Sequence, residues 1–172
     1  QACTINNGSG TIGESNIETV EVVCTDNTFR VGGLLSGLAG EGLLLSLNDD
    51  WELSPEGNGD VTFNTAYLAD GTSYNVTVKQ NPEGPNQTCT VSNGQGVIAG
   101  VDVTSIDIRC VTNRYAVGGT LTGLTGTGLV LKMGTAQLPV DENGPFEFSD
   151  QLVDDGLLFE VTVDSQPVEP AQ

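Results

Sequence analysis

The sequence contains no histidine, and only five of its 172 residues are lysine or arginine. Without histidine it lacks the usual general base of a catalytic triad and a common zinc ligand. The basic residues are outnumbered by 23 acidic ones, which gives a formal net charge of −18. Such a chain cannot neutralise phosphates, so we expect neither nucleic acid nor anionic lipid as a partner. It has no uninterrupted apolar run of about 20 residues, so we expect no membrane insertion.

Hydrolytic chemistry would have to rest on paired carboxylates, because no histidine is present to activate a nucleophile. Adjacent acidic residues occur in three predicted turns, at Asp49/Asp50, Asp141/Glu142 and Asp154/Asp155. Neighbours in a turn seldom face the same reacting atom. We therefore expect that the protein is not an enzyme.

What the sequence does contain is an internal repeat with an offset of 86 residues. The clearest matches pair residues 1–4 with 87–90, Cys24 with Cys110, and residues 29–33 with 115–119. After residue 134 the offset falls to 85, as expected for a one-residue deletion in a loop. The repeat therefore sets the domain organisation.

The repeat is out of phase with the sequence. Residues 1–24 match the end of a unit, and residues 29–110 form a complete unit. Residues 115–172 match the beginning of a unit without its last strands. We therefore predict one complete domain between two partial ones, in which the C-terminal hairpin of a repeat, residues 1–24, completes another copy.

Each copy contains two cysteines with the same spacing, Cys3/Cys24 and Cys89/Cys110. Because no CxxC pair or histidine is available for a metal site, this spacing predicts one disulfide in each copy. Disulfides are typical of oxidising compartments, so we expect a secreted protein in the extracellular space or at the cell surface. No segment resembles a signal peptide, and we expect an export signal to lie outside this sequence or to have been removed.

Short runs of alternating apolar and polar residues are separated by turn sequences such as Asn81-Pro82-Glu83-Gly84-Pro85. They predict strands at 29–38, 42–48, 51–54, 61–65, 73–80, 87–92 and 103–110. No stretch has the 3.6-residue period of an amphipathic helix. The predicted fold class is all-β, as tandem antiparallel β-sandwich repeats of about 86 residues with one disulfide per repeat.

Turn and strand motifs recur in both copies. The corresponding segments are 31–33 and 117–119, 59–63 and 144–148, and 70–78 and 155–163. This pattern resembles the transthyretin-like and Ig-like modules of bacterial surface proteins, including carboxypeptidase-regulatory-like and collagen-adhesin B-type repeats. The resemblance implies a β-sandwich fold and a place on the bacterial surface, and it says less about activity.

Two weaker ligand hypotheses stay open. Asp26, Asn27 and Asn113 lie in the connectors between units and Asp141 lies in an acidic turn, where their oxygens suit calcium. Asp and Asn are also ordinary turn formers. The single tryptophan, Trp51, offers a stacking surface for a ligand, although packing is its more common role. No other cofactor is expected.

The connectors at 25–28 and 111–114 contain neither Gly nor Pro and should hold neighbouring units close. We predict a structural subunit of an extracellular fibre, filament or surface stalk. Its predicted partner is itself, head to tail, with residues 1–24 of one copy completing residues 115–172 of another. This pairing would occur within one tandem array or by hairpin addition between subunits. The rival hypothesis is an adhesin module that binds a glycan or a host protein.

Overall fold

The computed structural model describes residues 1–168, which are strands and turns without a helix. The first part is a hairpin of β1 (Ala2–Asn6) and β2 (Glu21–Thr25), paired antiparallel with Cys3 opposite Cys24. Every residue from 1 to 25 is exposed to solvent. We call residues 1–25 the leading hairpin.

Ten strands follow in residues 28–112, which we call the central unit. They are β3 (Thr28–Phe29), β4 (Val31–Ser36), β5 (Leu44–Leu47), β6 (Trp51–Leu53), β7 (Gly59–Thr62), β8 (Leu68–Ala69), β9 (Ser73–Gln80), β10 (Gln87–Ser92), β11 (Gln95–Val97) and β12 (Val103–Thr112). One four-stranded sheet has the order β10-β12-β4-β7, and the other has the order β11-β9-β5-β6. β3 and β8 form a small two-stranded sheet.

Both four-stranded sheets contribute to one hydrophobic core. Leu45 and Leu47 of β5 are buried in it, and so are Ile106 and Ile108 of β12. Residues two apart on a strand point to the same face, so the alternation in the sequence gives each sheet one apolar face. The two apolar faces meet and close the central unit.

β12 runs parallel to its neighbour β4, whereas the sequence pattern predicts antiparallel pairing. A parallel pair needs a long crossover, which residues 37–102 supply by passing through the other sheet. The local alternation of apolar residues carries no information on strand direction, so it could not predict this pairing. Gly33 of β4 lies beside Ile106, and a Cβ atom at Gly33 would overlap the Ile106 carbonyl oxygen. Glycine is therefore required where β12 passes.

A second, smaller core lies in residues 114–168, which we call the trailing unit. Its strands are β13 (Arg114–Leu121), β14 (Leu129–Met133), β15 (Ala136–Val140), β16 (Gly144–Asp154) and β17 (Val161–Ser165). β13 pairs with β16, and β14 lies between β15 and β17. Leu129, Leu131, Met133 and Phe148 form the buried core.

Pairings in the trailing unit follow those of the central unit at the repeat offset. β13 covers the positions of β3 and β4, β14 covers those of β5, and β17 covers the last five positions of β9. An isolated bridge joins Glu41 to Glu83, and another joins the corresponding residues Thr127 and Val168. The predicted partial repeat at 115–172 also includes residues 169–172, which lie outside the described residues.

Most of the predicted strands are close to observed ones. The predictions at 73–80 and 87–92 coincide with β9 and β10, and the other predicted strands overlap observed ones with ends that differ by a few residues. The pattern does not predict β8 and β11. Strands of two or three residues are too short to show alternation.

Candidate assembly site

The leading hairpin exposes apolar side chains whose counterparts in the central unit are buried. The offset of 86 matches Val20 with Ile106 and Val22 with Ile108. Val20 and Val22 are 51% and 60% exposed, whereas Ile106 and Ile108 are 2% and 1% exposed. The hairpin therefore presents to solvent the apolar face that β12 uses to close the central core.

β13 of the trailing unit has an open edge. Its counterpart β4 lies between β7 and β12, but within residues 1–168 β13 pairs with β16 alone. Val117 and Leu121 on β13 are partly exposed, whereas their counterparts Val31 and Leu35 are fully buried. An edge of this kind carries backbone N–H and C=O groups that are available to another strand.

Gly119 lies at this edge, where it would add no Cβ atom. Its counterpart in β4 is Gly33, a position that only glycine can occupy because β12 lies against it. At Gly119 a Cβ atom would first meet the ring of Phe146, at 3.0 Å. Its φ is not among the positive ones, so its own backbone conformation does not call for glycine. Sequence reasoning did not assign Gly119 to the site, although the Val-Gly-Gly motif shared by both copies was an available signal.

Each disulfide joins residues that are directly opposite in an antiparallel pair. Cys89 and Cys110 link β10 to β12 in the central unit, where both are buried. Cys3 and Cys24 link β1 to β2 in the same register, with the whole hairpin in solvent. A two-stranded hairpin is marginally stable in water, and a bridge that closes a loop of about 20 residues contributes about 3 kcal/mol. The bridge thus holds the leading hairpin in the pairing that β10 and β12 have in the central unit.

The two connectors make equivalent hydrogen bonds to the unit that follows them. The N–H of Asp70 donates to the carbonyl of Asn27 at 3.2 Å, and the N–H of Asp155 donates to the carbonyl of Asn113 at 2.8 Å. Each bond ties the connector to the same turn of the next unit. The leading hairpin and the central unit thus share one equivalent connector bond to the unit that follows each of them.

No protein family, curated protein or solved structure matches the chain. In residues 1–168 there is also no helix of the length and apolar character needed to cross a membrane. The two disulfides are typical of a protein from an oxidising compartment.

The residues considered as calcium ligands lie in three different segments. Asp26 accepts a hydrogen bond from the side chain of Gln1 at 2.7 Å. Asn27 and Asn113 bind the following turns through their carbonyls, and Asp141 is in the exposed turn between β15 and β16. In the described part of the chain, no group of three or more acidic, cysteine or histidine residues could hold a metal ion.

Trp51 lies on β6 at the edge of its sheet. It pairs with Leu47, and its half-buried indole packs against the central core. The loop before it is fixed by Asn48, whose side-chain oxygen accepts a hydrogen bond from the N–H of Asn75 at 2.7 Å. Trp51 therefore contributes to packing in this structure.

Two acidic residues considered as a catalytic pair make contacts that hold the trailing unit. Asp154 forms an exposed ion pair with Arg114 at 2.8 Å. Asp155 accepts hydrogen bonds from the backbone and side-chain N–H groups of Asn86. The carboxylates of this pair thus face different partners, one within the trailing unit and one in the central unit.

Proposed function

We propose that the protein is a structural subunit of an extracellular or cell-surface fibre, filament or stalk. It is built head to tail from β-sandwich repeats of the Ig-like or transthyretin-like kind. The leading hairpin of one copy completes the trailing unit of another. The same contact serves separate subunits and repeats of one longer polypeptide.

One observation carries the proposal: residues that are exposed in the leading hairpin occupy the positions of residues that are buried in the central unit. The central unit thus supplies an occupied example of the interface, with β12 of its own chain placed against β4. The leading hairpin and the β13 edge are the two halves of that interface, each without the other in residues 1–168.

The occupied example defines the register of the proposed contact. In the central unit Ile106 is beside Gly33 and Ile108 is beside Leu35. The corresponding pairs between copies are Val20 with Gly119 and Val22 with Leu121, with β2 parallel to β13. The completed sheet would have the order β1-β2-β13-β16.

Burial of the hairpin face provides the driving force. Fully burying one Val, Leu or Ile side chain contributes about 1.5–3 kcal/mol. Besides Val23, five large apolar residues of the hairpin are exposed, and all five match buried or half-buried residues of the central unit: Ile5, Ile12, Ile17, Val20 and Val22. Together with the bridged, preordered hairpin, they can offset an association cost of about 4–15 kcal/mol.

The two surfaces differ from each other, so the contact is heterologous. A copy that accepts a hairpin still has its own hairpin free for the next copy. Contacts of this kind propagate into a filament unless the rotation between copies closes a ring. The similar hydrogen bonds at both connectors favour a constant relation between successive units.

The test is to measure assembly of Val22→Asp and Val23→Asp by sedimentation velocity over a range of concentrations. Val22 matches buried Ile108, whereas Val23 matches exposed Arg109. We expect the unmodified protein and Val23→Asp to form oligomers that grow with concentration. Val22→Asp should remain monomeric, because a buried unpaired charge is costly.

Both substitutions lie on the solvent-exposed hairpin, so thermal unfolding of the central unit should be unchanged in each and serves as the control for folding. An unmodified protein that stays monomeric at all concentrations would refute the proposal. So would equal assembly of the two variants.

In the described residues, the packing of Trp51 gives no support to the rival adhesin function.

A further inference from the structure

The central unit contains a second contact between the segment following β10 and the other sheet. β11 pairs antiparallel with the beginning of β9, with Val97 opposite Ser73 and Gly96 opposite Tyr74. Ile98 continues the pairing: its N–H donates to the Thr72 carbonyl at 2.9 Å. The Ile98 side chain is 1% exposed. The β10–β12 hairpin is thus attached to both sheets of the central unit.

In the leading hairpin the counterpart of this segment is residues 9–12, at the offset of 86. These residues lie outside strands and are exposed. Ile12, the counterpart of Ile98, is 77% exposed. An apolar residue that anchors the central unit therefore lies in solvent in the leading hairpin.

The trailing unit lacks the corresponding length of strand. β9 covers residues 73–80, whose counterparts at the offset of 85 are 158–165, but β17 begins at Val161. The three residues that are not in a strand, 158–160, match those of β9 that pair with β11. Leu158 and Phe159 are 99% and 62% exposed. They line an open groove of about 620 Å³, together with Leu157 and Met133.

The glycine and the aromatic ring that meet in this contact of the central unit have counterparts in the leading hairpin and in the trailing unit. In the central unit a Cβ atom at Gly96 would lie 2.7 Å from Cζ of Tyr74, so the ring covers the glycine. The counterparts are Gly10 and Phe159. A Cβ atom at Gly10 would meet nothing within 4 Å. The leading hairpin therefore has a glycine at the position where the trailing unit offers an aromatic ring.

We propose that residues 9–12 of the leading hairpin form a second edge strand, antiparallel to residues 157–160 of the copy that receives the hairpin. Gly10 then lies opposite Phe159 and Thr11 opposite Leu158, and Ile12 is buried beside Leu157. The inference rests on the proposed function. It adds that the hairpin pairs with both sheets of the receiving copy, and that β17 extends toward its N-terminal end to the full length of β9.

Disulfide trapping tests this register. In the central unit the N–H of Ile98 donates a hydrogen bond to the carbonyl of Thr72, next to the opposed residues Val97 and Ser73. Because hydrogen-bonded and non-hydrogen-bonded pairs alternate along an antiparallel ladder, Val97 and Ser73 are a non-hydrogen-bonded pair with closely spaced side chains. The corresponding double variant between copies is Thr11→Cys with Leu158→Cys. Both positions are exposed in the free chain, so the fold should tolerate them. The matched control is Thr11→Cys with Glu160→Cys, a diagonal pair whose Cα atoms would be about 7–8 Å apart, too far for a disulfide.

After mild oxidation under assembling conditions, we expect a ladder of covalent multimers for Thr11→Cys/Leu158→Cys on a non-reducing gel. The control should give at least tenfold less covalent multimer. Mass spectrometry of peptides from Thr11→Cys/Leu158→Cys should show the disulfide between positions 11 and 158. Assembly by sedimentation without this ladder, or with equal ladders in both variants, overturns the second strand and leaves the proposed function standing. Absence of assembly overturns both.

Discussion

Asp155 accepts two hydrogen bonds from Asn86, one from the backbone N–H at 2.6 Å and one from the side-chain amide at 2.9 Å. Its own N–H donates to Asn113 at 2.8 Å. One residue of the trailing unit thus holds both the connector and the turn that precedes β10. Pro85 also approaches this turn, at 3.7 Å from a Cβ atom built on Gly156. The central and trailing units therefore meet through defined contacts in addition to the connector.

Replacing Asp155 by Ala should loosen this junction. Each lost hydrogen bond is worth about 0.5–1.5 kcal/mol, and the backbone N–H of Asn86 becomes free to exchange. Hydrogen exchange followed by NMR should show faster exchange at Asn86. Asp154→Ala is the control, because it removes the exposed ion pair with Arg114 and leaves Asn86 protected. Unchanged protection in Asp155→Ala would show that the junction does not depend on this carboxylate.

Gly119→Ala should block assembly and leave the chain folded. At the corresponding position Gly33, a Cβ atom would overlap the carbonyl of the adjacent strand, whereas at Gly119 the ring of Phe146 must move by only a few tenths of an ångström. Sedimentation velocity and thermal unfolding measure the two effects separately. Gly118→Ala provides the contrast, because its Cβ atom would lie 2.5 Å from the Phe146 carbonyl and destabilise the trailing unit itself. If Gly119→Ala assembles like the unmodified protein, the proposed β2–β13 register is wrong.

Removing the hairpin disulfide, with Cys3→Ser and Cys24→Ser together, should weaken assembly without lowering the stability of the central unit. The bridge contributes about 3 kcal/mol to ordering the hairpin, so the dissociation constant should rise by up to about 100-fold. Sedimentation equilibrium measures this change. The paired control, Cys89→Ser with Cys110→Ser, should instead lower the melting temperature of the central unit. Equal assembly with and without the hairpin bridge would contradict the expectation.

Assembly should strengthen with salt. Each copy carries a formal charge of −18, so neighbouring copies repel one another. Raising the ionic strength from 0.01 to 0.15 M shortens the screening length from about 30 to about 8 Å. We expect the mean sedimentation coefficient at fixed concentration to rise over this range. A fall with salt would show that attraction between charges, rather than apolar burial, drives the association.

Features that repeat at a fixed spacing could be predicted from the sequence. The spacing of Cys3 and Cys24, repeated at Cys89 and Cys110, predicts bridges that the structure contains. Alternating apolar residues likewise predict the all-β fold class. The first signal comes from comparing the two copies, and the second is local to each strand.

Features that depend on distant partners could not be predicted in this way. In the sequence Asp155 is only one of two adjacent acidic residues in a predicted turn. Its hydrogen-bond partner Asn86 is 69 residues away. Gly96 is the middle residue of β11, a three-residue strand that within residues 1–168 is paired only with β9. Strand direction is also invisible locally, so the parallel pairing of β12 with β4 was missed. The sequence predicts that residues 1–24 complete residues 115–172, but β13 became recognisable as the receiving edge only by comparison with the occupied edge of β4.

The parallel pairing of β4 and β12 determines how the central unit would respond to a pulling force. The chain enters this unit through the two-residue β3, directly before β4, and leaves it at the end of β12. Because Val31 lies opposite Val103 and both strands run the same way, these two points are at opposite ends of the ladder. Tension would therefore load the hydrogen bonds of the ladder together, in shear, instead of opening them one after another.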